Sequence, residues 1–202
     1  IQQPNFFGLI EDAESVGKIA KEKGAKFVMS CYPVALALLK TPAECGADVA
    51  AGEGQPLGLP LAFGGPYLGF LTCRENLMRK LTGRIVGETV DHDGRPAYVL
   101  TLQAREQHIR REKSTSSICS NEALCALTSS IYLAAMGKEG LKDVAKQCVS
   151  KAHYMKDEIV KIDGFRLKYD GEFFNEFVIE SDVDTSKIVD KPVSYTHLTL
   201  PT

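Results

Sequence analysis

The residues best placed to do chemistry lie in one glycine-rich loop. Residues 52–69, GEGQPLGLPLAFGGPYLG, hold six glycines between an apolar run at 47–51 and another at 67–73. Glycines at that density let a backbone or a ligand approach where a Cβ would clash. A glycine-rich loop following a strand is also where α/β proteins place their ligands. Three chemistries compete for it. A dinucleotide site wants G-x-G-x-x-G, but Gly58 comes one residue late after Gly52 and Gly54, and Pro56 stands where a helix should start. A phosphate-cradling loop wants Lys and Ser/Thr after its last glycine, and Phe70 and Leu71 follow Gly69 instead. A covalently held pyridoxal phosphate (PLP) wants a primary amine near the end of a strand. No lysine lies between Lys40 and Lys80, and the loop offers Gln55, an amide that hydrogen-bonds but forms no Schiff base.

The second candidate is cationic. Residues 105–117, REQHIRREKSTSS, bring together Arg105, His108, Arg110, Arg111 and Lys113, offset only by Glu106 and Glu112. Such runs are commonly solvated faces. This one lies between a hairpin and a helix, a place for a site-lining wall, and both readings stay open. Arg84, directly after Gly83, joins the candidates for the wall, as do Ser114 and Thr115. Lys113, beside those hydroxyls, is an alternative amine for a PLP enzyme complete in itself.

The six cysteines, at 31, 45, 73, 119, 125 and 148, form no C-x-x-C, and no histidine stands at a zinc-like spacing. They read as reduced, mostly buried thiols, which points to a cytoplasmic setting and no metal. Cys119, downstream of Arg110, Arg111 and Lys113, is the nearest to a reactive thiol and is read as structural too. His92 reads as a solvated turn residue and His153 as a packed helix residue. A net charge of −2, with 44% hydrophobic and 25% charged residues, describes an ordinary globular chain. It gives no electrostatic case for nucleic acid or an anionic membrane. No apolar run is long enough to span a bilayer. The start lacks both a leader pattern and a methionine, so the chain is expected to begin inside a longer protein.

Periodicity supplies the elements that must hold these residues. Apolar runs at 6–10, 27–31, 47–51 and 67–73 read as strands. A helix at 15–22, with Val16, Ile19 and Ala20 at helical spacing, is stopped by Gly24. Strand–helix–strand alternation predicts a parallel sheet with crossovers. Residues 74–81 read as a helix with Leu77, Met78 and Leu81 inward. Strands at 84–90 and 97–102 form a hairpin around an Asp-Gly turn. A helix capped by Ser120 or Asn121 carries Leu124, Leu127, Ile131 and Leu133, and is apolar enough all round to be buried. Gly137 ends it. A second helix at 141–162 presents Val144, Cys148, Ala152, Met155 and Ile159 on one face, and strands follow at 165–168 and 176–180. The expected organisation is the end of a large parallel-sheet domain (1–82), a hairpin and cationic segment (83–117), a truncated small α+β domain (118–191) and a non-native tail (192–202).

Four segments carry a family resemblance: NFFGLIED, GADVAAGEGQPLGLPLAFGGPYLGF, GRIVGETVDHDGRPAYVLTLQAREQHIRREKSTSSIC and NEALCAL. The chain resembles the glycine cleavage system P-proteins from about Pro4 to Val183, and within them the subunit 1 branch of the two-subunit bacterial form. The resemblance implies an α/β PLP-dependent transferase fold of aminotransferase fold type I. It implies glycine decarboxylation, with transfer of the aminomethyl group to the lipoyl arm of the H-protein. In the two-subunit form PLP is bound covalently by subunit 2, whose loop reads N-x-H-K-T-x-x-x-P-H-G-G-G-G-P-G. Laid against residues 52–67, that pattern matches Pro60, Gly64, Gly65 and Pro66, and sets Gln55 where the lysine belongs. The implied role is a half without its own lysine, completing the partner's pocket with Arg84, Arg105, His108, Arg110, Arg111, Lys113, Ser114 and Thr115. The alternatives are an interaction module with no share in the site, or a stand-alone PLP enzyme using Lys113.

Overall fold

A computed structural model describes residues 1–83, 85–102, 107–114, 122–182 and 184, with the backbone alone at 107 and 108. One four-stranded sheet organises the first third of the chain, in the order β1 (Gln2–Gln3), β2 (Val28–Cys31), β3 (Val49–Glu53), β4 (Gly69–Cys73). β1, β2 and β3 are parallel, with Gln3 opposite Cys31 and Cys31 opposite Gly52, so their carboxyl ends finish together. β4 returns antiparallel from Gly69 beside Glu53 to Cys73 beside Val49. The loop between β3 and β4 therefore springs from the edge where parallel strands end.

Helix α1 (Ala13–Glu22) crosses from β1 to β2, capped by Asp12, whose carboxylate accepts the Ser15 N–H. Its packed face is Ala13, Gly17 and Ala20, not Val16 and Ile19, which are 40% and 57% exposed. The reason is space. A Cβ on Gly17 would stand 2.1 Å from the Cys45 carbonyl oxygen and 3.0 Å from the Phe27 ring. The helix lies too close for larger side chains on that face. Beneath it Phe27, Met29, Cys31, Cys45, Ala47 and Ala50 form the first core.

Residues 6–10 are not a strand. Asn5 Oδ1 accepts the N–H groups of Phe7 and Leu9, and Asn5 also exchanges backbone bonds with Gly8 and Leu9. These bonds wind FFGLI into a loop that leaves Phe6 83% exposed. Residues 74–81 form a 3₁₀ segment, Glu75–Lys80, with no buried residue, and Met78 faces solvent. The expected hairpin is present: β5 (Ile85–Val90) pairs antiparallel with β6 (Pro96–Thr101). The helical turn α2 (Gln107–Arg110) continues into a 3₁₀ turn, Arg111–Lys113.

Helix α3 runs from Ala123 to Ile159, with Gly137 (φ 61°, ψ −175°) as a non-helical break inside it. The two expected helices thus abut without a loop, at a backbone angle that suits glycine. The second half packs Ala145 and its neighbours against Val34, Ala35 and Phe174, a second core joined by Leu57. The first half corrects the sequence reading. Leu124, Leu127 and Ile131 are 77%, 55% and 61% exposed. Their stripe points away from the single face, Cys125 and Ser129, that is covered. β7 (Phe165–Leu167) and β8 (Ile179–Ser181) close the described chain as an antiparallel pair. Arg166 ties them by ion pairs to Glu180 and Asp182.

Candidate active site

Glu53 anchors the glycine loop at both ends. Its Oε1 accepts the N–H of Gln55 at 2.9 Å and of Leu68 at 2.8 Å, closing the loop where β3 ends and β4 approaches. Gly54 donates its N–H to the Leu68 carbonyl, and a Cβ there would sit 2.9 Å from that oxygen. Farther out the loop lies on α3. Gly58 has φ +91°, and a Cβ on it would come within 2.6 Å of the Tyr132 Cβ. The Cys125 thiol reaches the Pro66 carbonyl at 3.9 Å. Glu122, just before α3, accepts the Gly69 N–H at 3.1 Å. The expected caps Ser120 and Asn121 lie outside the described residues.

Gln55 is half-buried, and its Nε2 donates to the Leu59 carbonyl at 2.7 Å. The amide is spent on holding the loop's own backbone. Beside it, at the carboxyl ends of the parallel strands, is a cavity of about 260 Å³. Cys31, Tyr32 and Glu53 line it from the sheet, and Asn175 and Glu176 close it from the other side. Burial raises the Tyr32 phenol above its ordinary range, and burial likewise raises the Cys31 thiol. Both are therefore neutral near pH 7. The lining contains two carboxylates and neither lysine nor arginine. These residues do not fit covalent PLP: there is no amine for its aldehyde and no cation for its phosphate.

The cationic candidates divide. Arg110, Arg111 and Lys113 are exposed, Ser114 is half-buried, and among the described residues no acidic group pairs with any of the three cations. Arg111 adopts a positive φ of 51°. The His108 side chain, and Arg84, Arg105 and Thr115 altogether, lie outside the described residues, as does Cys119. Cys31, Cys45 and Cys125 are buried and Cys73 and Cys148 half-buried, all as free thiols. At the hairpin tip, ligand atoms of Asp91, His92 and Asp93 lie within 4.8 Å of one another. They are occupied by the turn itself: Asp91 accepts the N–H groups of Asp93 and Arg95, and Asp93 pairs with His92 and Arg95. His153, as expected, is packed, stacked on Phe173 at 4.0 Å. The sequence reading missed the cavity residues Tyr32, Asn175 and Glu176. No motif marks them; only the approach of the 175–176 segment to the strand ends makes them neighbours. Among the described residues no helix is long and apolar enough to cross a membrane.

Comparison with known proteins agrees with this geometry. The family model for the glycine cleavage system P-protein matches residues 1–198. A protein of Desulfitobacterium hafniense named probable glycine dehydrogenase (decarboxylating) subunit 1 is 57% identical over 96% of this chain and 44% of its own length. A relative of the same name from Moorella thermoacetica is 56% identical over 93% of the chain and 42% of its own length. The chain thus spans under half the length of these curated relatives. A crystal structure of glycine decarboxylase (P-protein) in inhibitor-bound form superposes with a TM-score of 0.93 at 44% identity, over 96% of this chain and 45% of that one. Catharanthus roseus tryptophan decarboxylase, 14% identical with a TM-score of 0.58 over 92% of this chain and 38% of its own, shares the fold alone. The architecture is that of the fold type I PLP enzymes, as the resemblance implied. Matched over nearly all its length, the chain belongs to the glycine cleavage system P-protein family.

Proposed function

We propose that this chain is the lysine-lacking half of a heteromeric, PLP-dependent glycine decarboxylase of the glycine cleavage system. Subunit 2 holds the coenzyme covalently, and this chain, working in the cytoplasm, completes the shared site. One observation carries the reading: the side chain of Gln55, the residue that the family pattern sets against the lysine, is an amide bonded to the Leu59 carbonyl. The names of the relatives, as subunit 1, support a companion subunit. The strand-end cavity supports the same division, since Glu53 and Glu176 would repel a phosphate. In this reading residues 1–82 supply the sheet and loop, 83–117 the hairpin and wall, and 118–191 the small domain.

In this reading Arg110, Arg111 and Lys113 supply positive charge to a neighbouring surface. With no acidic partner among the described residues, they would bind a substrate carboxylate or a phosphate held by the partner through charge-assisted hydrogen bonds. The same charges would speed encounter with an acidic, lipoyl-bearing H-protein. Lys113 is exposed on a 3₁₀ turn and is not among the residues lining the strand-end cavity, which disfavours a self-sufficient PLP enzyme.

The test is reconstitution. The purified chain mixed with PLP should show no visible coenzyme band, and glycine-dependent carbon dioxide release should appear only when subunit 2 and lipoylated H-protein are added. Replacing Arg110, Arg111 and Lys113 with alanine should cut that release by about tenfold or more, the worth of one charge-assisted bond. Unchanged turnover in an intact complex would leave the chain as an interaction module alone.

A further inference from the structure

The glycine loop ends on two consecutive N–H groups, and each is held by a carboxylate from a different element. Glu53, at the end of β3, accepts the Leu68 N–H, and Glu122, at the head of α3, accepts the Gly69 N–H. The strand ladder explains the second bond. Gly69 stands opposite Glu53, but Gly54 sends its N–H to the Leu68 carbonyl. Glu53 and Gly69 therefore exchange no ladder bond, and the Gly69 N–H faces away from β3. Helix α3 supplies the acceptor. Glu122 occupies the N-cap position with φ −110° and ψ 42°, and its carbonyl accepts the Ala126 N–H, yet its side chain makes no capping bond. A polar side chain at that place ordinarily turns to the helix's own first N–H groups. Here it reaches a strand 53 residues away in sequence.

What these ties hold is a strained tip. Phe63 has φ 45° and Gly64 φ 93°. A bulky side chain stays in the left-handed region only where its surroundings keep it there. The tip leans on the held end of the loop: Ala62 donates its N–H to the Tyr67 hydroxyl at 3.1 Å, and Tyr67 directly precedes Leu68 and Gly69. Resting on the shared-site reading above, we propose that Glu122 is a positioning residue for the decarboxylase site. Through Gly69 it fixes the glycine loop, at the carboxyl ends of the parallel strands, in the shape the shared reaction needs. It acts through the loop backbone and touches no substrate. Its bond to Gly69 is charge-assisted and so stronger than a neutral one. A shift of about 1 Å in a site element can lower a rate about a hundredfold.

The test compares Glu122→Ala with Glu122→Gln, in this chain by NMR hydrogen exchange and in the complex reconstituted with subunit 2 and lipoylated H-protein. Alanine removes the acceptor and, since Glu122 makes no capping bond, takes no side-chain cap from α3. Glutamine keeps an acceptor oxygen and drops the charge, so it separates the bond from any effect of charge at the helix start. Glu122→Ala should speed exchange of the Gly69 amide by about tenfold or more. It should lower kcat by about tenfold or more, with KM for glycine and subunit association unchanged. Glu122→Gln should stay within about threefold of the parent in both. Parent-like exchange in Glu122→Ala overturns the proposal, and so does faster exchange at parent-like kcat, which leaves the bond a structural tie. Equal losses in the two variants overturn it as well, because charge and not the bond would then be at work. A kcat kept in Glu122→Ala but lost with alanine at Arg110, Arg111 and Lys113 defeats this proposal alone. A parent complex without glycine-dependent turnover defeats the shared-site reading, and with it the role of Glu122 in that reaction.

Discussion

Gln55 holds its own loop closed. Its neighbours Glu53 and Gly54 fasten the loop's ends and Gly58 lies against Tyr132, while the amide turns inward to Leu59. Removing that bond leaves a half-buried carbonyl without its donor. Gln55→Ala should therefore cost roughly 1 kcal/mol in urea unfolding. Gly58→Ala is expected to cost more, about 2 kcal/mol, because it combines a left-handed backbone with a 2.6 Å collision against Tyr132. If Gly58→Ala unfolds at the parent's urea midpoint, the loop does not rest on α3 as described. The glycine loop after a strand was legible because glycine and proline spacing survives as a pattern in sequence. The Gln55–Leu59 bond was not, since that contact depends on how the loop closes.

At the scale of elements, α1 separates what periodicity reports from what it leaves out. Helical spacing located the helix, and Gly24 its end. The spacing of Val16, Ile19 and Ala20 carried no mark of Gly17, although Ala13, Gly17 and Ala20 form the packed face. What decides the face is the distance to the Cys45 carbonyl, a long-range fact. Gly17→Ala, which raises intrinsic helix propensity, should therefore destabilise the fold by about 2 kcal/mol through overpacking. An unchanged or raised melting temperature would refute that packing. The same helix carries an acid-sensitive tie. Lys18 and Lys40 hold the Glu14 carboxyl down to about 2, against 4.5 for the free group. A carboxyl with a lowered folded pKa contributes stability above its unfolded value, and that contribution is lost as pH falls from about 4.5 to about 2. Glu14→Gln should flatten the acid limb of stability in that window and leave its slope near neutrality unchanged. An identical acid limb in the variant would show the two pairs to be without energetic weight. Similarly, FFGLI failed as a strand because Asn5 gives its backbone a local alternative to ladder bonds.

For the whole molecule, the first half of α3 is the clearest departure from sequence expectation. From Ala123 to Met136 no residue is charged, yet only one face of the helix is covered. The inference that an apolar helix is a buried helix rests on a sound principle, but it identifies a need for burial without naming the cover. The parallel sheet, the hairpin and the glycine break in α3 were legible because each depends on local pattern or on near neighbours. The exposed stripe was not, because the described chain supplies no surface for it. The superposed glycine decarboxylase has more than half its length without a counterpart here. Leu124, Leu127 and Ile131 should thus behave as surface residues in this chain by itself. Leu127→Lys and Ile131→Lys are expected to change its unfolding free energy by no more than ~0.5 kcal/mol and to raise its solubility. Phe174→Ala, at 1% exposure in the second core, should cost about 3–5 kcal/mol in the same measurement. Should the lysine variants instead lose stability on the scale of Phe174→Ala, this half-helix is buried within the chain's own fold, and the surface described for α3 is wrong.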